Sequence, residues 1–261
     1  MGQFLRDQKV TNVTIDEATL DRLNDVFLAR VATHNAGVPE GPKHVVHFYV
    51  IRFDQKGYRF VDFADVKKHF RDAGDVERVI YTMDSGENRQ TQSLSGGHFE
   101  LRLDAKDANS CWLTVTADNK DWVEATFSEV ADILAGQRNW SRYVRTQWTG
   151  LLIQVVGVAI GFLLSLWAAL KISPRLTIDN AFVIAFFFAL LIYSNIWSYI
   201  NAQIVKVIDF SFPNVRFKRA GKDALHLATQ TLVGGLIITF TAFLLDKLFS
   251  LVGSAISSFV K

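Results

Sequence analysis

The stretch that most constrains this chain runs from Thr146 to Ile172, an apolar run with no charge until Lys171. As a helix it is long enough to cross a hydrocarbon core of about 30 Å. Gly157, Gly161, Ser165 and Ala169 recur at every fourth position within it, so they align as one smooth stripe against which a second helix can lie closely. The sequence upstream then reads as a water-soluble domain on a tether, residues 1–139, and residues 140–261 as a small membrane domain.

The distribution of charge supports this division. Met1 to Arg145 carries 19 basic and 22 acidic residues, whereas Thr146 to Lys261 carries 9 and 4. So weak a net charge favours no globular partner class, and no nucleic acid is expected as a partner. Cys111 is the only cysteine, which excludes an intramolecular disulfide and fits a reducing compartment. The start, Met1 to Arg6, has no apolar h-region of the kind a secretory signal needs.

The soluble part reads as α+β, an antiparallel sheet with helices on one face. Thr14-Ile15-Asp16-Glu17 has capping-box spacing, which predicts a helix from there to about Thr33 with Leu20, Leu23, Phe27 and Val31 on one face. Val45 to Phe53 is β-branched and aromatic, and Asp54 to Gly57 turns the chain into Tyr58 to Val61, giving a hairpin. Asp62 caps a short helix through Phe63, Val66 and Phe70. Strands follow at Val76 to Met83, His98 to Asp104 and Cys111 to Thr116, with Phe99, Leu101 and Leu103 on a buried face. The polar segment from Asp84 to Gly97 reads as a mobile loop. Asp118 caps a last helix striped by Val123, Phe127, Val130 and Leu134.

Catalytic chemistry finds little support in this part. His44 and His47 stand three apart on a strand and so point to opposite faces, which suits no shared metal ion. Asp104, Asp107 and Asn109 lack the spacing of a calcium loop and read as a hairpin connection. Asp118 and Asp121 belong to the first turn of a helix, and Cys111 beside Trp112 reads as a small buried hydrophobe. There is no phosphate-gripping glycine loop, nucleophile elbow or zinc-protease helix. An enzyme is not expected, nor is a cofactor, metal site or catalytic residue.

The downstream part reads as an all-α membrane domain of three spans. Arg138, Arg142 and Arg145 precede the first, with Trp140, Tyr143 and Trp148 at the boundary. A second runs from about Ala181 to Gln203. Lys206, Arg216, Lys218, Arg219 and Lys222 then form a basic cytosolic loop over residues 206–227, interleaved with Phe210, Phe212 and Phe217, as suits anionic lipid headgroups. A third span covers roughly Ala228 to Leu245, with a packing stripe at Thr231 and Gly235, and the tail from Leu248 to Val260 is amphipathic. Two crossings separate the two basic sets and place both in the cytosol, so the protein is expected to be a multi-pass plasma (inner) membrane protein with its C-terminus outside.

Gln154, Asn195, Thr239 and Thr241 are polar groups at membrane depth, where they need other helices or water. Copies arranged around an axis could line a pore with them. The expectation is a homo-oligomer that acts as a channel or membrane-permeabilising effector. Its cytosolic domain would bind a protein or small-molecule ligand. The alternative is a non-conducting anchor that recruits a cytosolic partner.

Overall fold

The structure, a computed structural model, describes residues 3–91, 95–219, 231, 232 and 235. All named elements lie in the compact unit Met1–Phe217. In chain order they begin with β1 (Phe4–Lys9), β2 (Val13–Ile15), α1 (Glu17–Ala36), β3 (Val45–Phe53), β4 (Lys56–Phe60) and α2 (Phe63–Asp72). Then come β5 (Val76–Ser85), the short α3 (Gly86–Gln90), β6 (His98–Asp104), β7 (Trp112–Ala117) and α4 (Lys120–Ala135). A single turn, α5 (Ser141–Val144), leads to two long apolar helices, α6 (Gln147–Ile172) and α7 (Ala181–Ser211), and the chain then returns in β8 (Val215–Phe217).

Six strands form one sheet in the order β1-β7-β6-β5-β3-β4, every neighbouring pair antiparallel. The period-two pattern of β6 explains its orientation: Phe99, Leu101 and Leu103 are buried, and His98, Glu100 and Arg102 alternate with them on the open face. Tyr81 and Met83 of β5 and Leu113 and Val115 of β7 continue the buried rows. α1, α2 and α4 cover this face with Leu20, Leu23, Val66, Phe70, Val123 and Phe127. Phe27 sits at the centre, its ring 5.6, 5.7 and 5.2 Å from those of Tyr49, Tyr81 and Phe99. The α+β expectation therefore holds, with helices following.

Several local expectations change. Phe4–Lys9, where the sequence predicts no element, is the edge strand β1 paired with β7. Its side chains are mostly exposed, so no alternating pattern marks it. Thr14 does not cap a helix; it sits in β2, and Asp16 is the N-cap, accepting from the Thr19 amide at 2.8 Å and hydroxyl at 2.6 Å. Burial of Val13 and Ile15 on either side of it fixes Thr14 as extended. The last soluble helix is capped by Asn119 instead of Asp118. The segment after Asp84 is not a plain loop, because β5 runs to Ser85 and α3 follows, capped by the Ser85 hydroxyl. Asp54 and Gln55, at φ 48° and 65°, form the two-residue turn between β3 and β4, the left-handed pair that matches strand twist.

Among the described residues two helices are long and apolar enough to cross a membrane, with mean hydropathy 2.3 and 1.9 over their most apolar windows. The expected third span at Ala228 to Leu245 lies outside the described residues except Thr231, Leu232 and Gly235, which are helical. The C-terminal tail lies wholly outside them.

Candidate functional site

The apolar helices form an antiparallel hairpin joined through a 3-10 turn at Ser173–Arg175 and a left-handed Asn180, φ 56°. The small-residue stripe of α6 faces α7. A Cβ on Gly157 would collide with the Trp197 indole, and one on Gly161 with the Tyr193 ring. The glycines thus make room for two large aromatic side chains of the same chain. Tyr193 donates its hydroxyl to the Gly157 carbonyl at 2.9 Å, and Trp197 Nε1 donates to Gln154 Oε1 at 3.3 Å. Ser165 and Ala169 continue the stripe and are buried. The outer faces are bare: only 17% and 6% of the two apolar windows are buried, the reverse of a core helix in a water-soluble protein.

The base of the hairpin is polar and aromatic. Arg145 donates to Asp209 Oδ1 at 2.5 Å and to the Phe212 carbonyl at 3.2 Å, which joins the start of α6 to the end of α7. Trp140 and Trp148 are 81% and 78% exposed, and the Arg142 guanidinium lies 4.5 Å from the centre of the Tyr143 ring.

Beyond α7 the chain re-enters the sheet domain. β8 pairs with β2 in parallel, Val13 opposite Val215 and Ile15 opposite Phe217. On the other side of β2, Thr14 N donates to Gln137 O at 2.8 Å and Asn139 N to Asn12 O at 2.8 Å. Residues 10–15 are thus gripped between the segment that enters the hairpin and the one that leaves it. Asn214, buried, completes the grip: its Oδ1 accepts the Asn12 amide at 2.9 Å and its Nδ2 donates to Val10 O at 3.0 Å. Val215 belongs to the domain core, and Phe217 packs edge-on to Phe70 of α2 at 6.0 Å. The segments that enter and leave the hairpin are thus both paired to residues 10–15 of the sheet domain.

Two clefts open on the sheet domain. One, about 430 Å³, lies where α1 ends and α4 begins, with Lys43 3.5 Å from Asp118 and His34 against Trp122. Burial holds the His34 imidazole below its ordinary pKa. The other, about 590 Å³, lies between α1 and α2 over Asn24, His47 and Tyr49. Burial lowers the pKa of His47, and burial together with the Asp62 charge raises that of Tyr49.

The predicted site residues separate accordingly. Gly157, Gly161, Ser165, Ala169 and Gln154 meet inside the hairpin, so Gln154 is turned toward Trp197. Asn195 is exposed on α7, and its side-chain amide donates to Leu191 O at 2.9 Å. Of the basic set, Lys206 is exposed on α7, which runs through to Ser211, and Arg216 lies in β8, so the expected loop is helix over 206–211 and strand over 215–217. Lys218 is exposed and Arg219 half-buried. Lys222, Thr239 and Thr241 lie outside the described residues, and Thr231 and Gly235 are described as helical and exposed. Phe217, expected at the membrane interface, is half-buried and packs against the core of the sheet domain. His44 and His47 do not converge, and no group of three metal-ligating side chains exists among the described residues. The clasp was hidden in sequence because β2 and β8 are three-residue strands some 200 positions apart. The paired Val-x-Ile and Val-x-Phe patterns were the only signal. No known family matches the chain, and no curated protein or solved structure is significantly similar to it.

Proposed function

We propose that this is an integral membrane protein in which a ligand-responsive cytosolic domain acts mechanically on a transmembrane hairpin, and that assembled copies form a channel or permeabilising effector. The observation that carries this is the clasp. A domain that served only as cargo on an anchor would need one flexible connection, whereas here both ends of the hairpin are hydrogen-bonded to the same strand of the sheet domain.

Dimensions support the membrane placement. From Trp148 to Lys171 the first helix advances about 35 Å, close to the thickness of a hydrocarbon core with its boundary. Arg138, Arg142, Arg145 and Lys206 all lie toward the clasped end, which on the positive-inside rule is cytosolic, and Lys206 and Arg142 there suit anionic headgroups. The small-residue stripe is used within the chain, so association of copies falls to other faces. Ser194, Asn195 and Ser198 are exposed on one side of the second helix. Such groups at membrane depth call for water or another helix, which favours Asn195 over Gln154 as a pore-lining residue.

The test is ion flux from liposomes carrying the full chain with Thr14→Cys and Arg216→Cys. These are register partners across β2 and β8, about 4.8 Å apart as neighbouring strands, within reach of a disulfide. Flux that grows with protein density and changes when the bridge is oxidised is expected. No flux at any density favours the non-conducting anchor.

A further inference from the structure

We propose that the cleft between α1 and α2 is a binding site for a small amphiphilic amine, one ammonium group and one hydrogen-bond acceptor on an apolar body, and that its occupancy bears on the clasp.

The floor of the cleft carries unused hydrogen-bonding capacity. Asn24 is 8% exposed, and its Oδ1 accepts the Tyr49 hydroxyl at 2.6 Å. The other half of that amide, Nδ2, has no partner among the described residues although it belongs to a cleft-lining residue. His47 is held by ring contacts alone, 5.9 Å from Phe27 and 5.8 Å from Tyr49, with no hydrogen bond to either ring nitrogen among the described residues. Both groups are open to the cleft and not sealed in the core, so an amide donor and an imidazole, unused by the protein, are presented together to whatever enters it.

Walls and rim set the rest of the chemistry. Leu28, Val61 and Phe63 supply apolar surface, and Val61 is 71% exposed. Asp21 is tied to Lys67 at 2.8 Å, while Asp62 uses one oxygen to cap α2 through Ala64 N at 2.9 Å. Two carboxylates against one ammonium leave the lining one negative charge in excess. That field repels a phosphate or carboxylate and attracts an amine, which gains further over the Tyr49 and Phe63 rings. An ammonium placed toward Asp62 and the acceptor nitrogen of His47 leaves the ligand's own acceptor facing Asn24 Nδ2. Apolar walls with a few converging polar groups are the usual build of a small-molecule site.

The two sides of the cleft are the two sides of the clasp, which is where this inference rests on the proposed coupling. Asp21 and Asn24 stand on α1, which continues directly from β2. Phe63 and Lys67 stand on α2, whose Phe70 carries Phe217 of β8. Anything seated between the helices bears on β2 and β8 at once.

Binding is measured on the full chain in detergent micelles by saturation-transfer NMR. The probe is phenylalaninol, with L-phenylalanine and 3-phenylpropan-1-ol as controls, protein-free micelles as background for partition, and Asp62→Asn as the first variant. Asparagine caps a helix as well as aspartate does, so that variant keeps α2. Saturable binding of phenylalaninol is expected, weaker by about fivefold or more in both D62N and His47→Phe, with neither control competing. Equal binding of the three compounds, insensitivity to both substitutions, or no binding at about 10 mM overturns the assignment. Saturable binding that leaves liposome flux unchanged would retain the cleft and remove the coupling, and flux without binding would do the reverse.

Discussion

Asn214 Oδ1 accepts the backbone amide of Asn12 at 2.9 Å across 202 positions of sequence. Asn12 holds a left-handed backbone, φ 57°, which asparagine tolerates better than most residues. That kink ends the run from β1 and delivers Val13 into β2. One buried side chain therefore fixes the strand on which both ends of the hairpin converge, and any rotation of the hairpin relative to the sheet must work against it.

Asn214→Ala removes an acceptor from Asn12 N and a donor from Val10 O inside the core. Leaving two buried groups unpaired costs about 2–4 kcal/mol. Asn214→Asp keeps the acceptor but turns a carboxylate oxygen onto the Val10 carbonyl and buries its charge, so at neutral pH it should cost at least as much as alanine. Thermal unfolding by circular dichroism orders the three proteins, and equal melting temperatures would show that the side chain holds nothing.

Gly157→Ala sets a methyl group against the Trp197 indole and should destabilise the hairpin by about 1–3 kcal/mol. Trp197→Phe withdraws the colliding atoms and gives up the bond to Gln154. Because the two residues touch, the double substitution should be milder than the sum of the singles. Unfolding in mixed micelles, followed by circular dichroism, measures the cycle.

Much of this architecture is written in local patterns. The stripe at Val123, Phe127, Val130 and Leu134 and the alternation through Phe99 to Leu103 are periodic, and periodicity reads directly as a buried face. Asp62 is legible as a cap because a short polar side chain before an apolar turn has few other uses. What is not legible depends on partners far off in sequence. β1 is an exposed edge strand, β2 and β8 are too short to carry a period, and Thr14 imitates a cap while pairing with Arg216. For the stripe at Gly157, sequence shows that something fits there but not whether the partner is another copy or, as here, Trp197 and Tyr193 of the same chain. The clefts are assembled from α1, β3 and α2, and no linear motif joins Asn24 to His47.

Stability should decline on mild acidification. His34 and His47 are held below their ordinary pKa of 6.5 by burial, so the folded state binds fewer protons than the unfolded one. Their contribution is complete above that value and is lost as pH falls from it toward their folded values. Asp16, lowered mainly by its Thr19 hydrogen bond, and Glu17, lowered mainly by Arg71, act separately, at and below their ordinary 3.8 and 4.5. The slope of melting temperature between about pH 7 and about pH 5 should therefore flatten in a His34→Gln, His47→Gln protein, while the steeper loss at lower pH remains.

The Arg145–Asp209 pair tests whether the hairpin base is a joint or a chance meeting. The arginine side chain is 22% exposed and the aspartate 54%, so much of their attraction is screened, and a coupling of about 0.5–1.5 kcal/mol is the reasonable scale. Arg145→Glu sets two like charges together and also deprives the Phe212 carbonyl of its donor. Asp209→Arg alone repeats the first fault with opposite sign. The exchanged pair R145E/D209R restores attraction but not the bond to Phe212, so it should recover only part of the loss. Chymotrypsin cleavage after the exposed Phe210, whose bond to Ser211 is not followed by proline, reports opening of this end, and the recovered fraction should shrink as salt is raised. Strictly additive single effects would mean that the ends of the two helices are held by β2 and β8 alone.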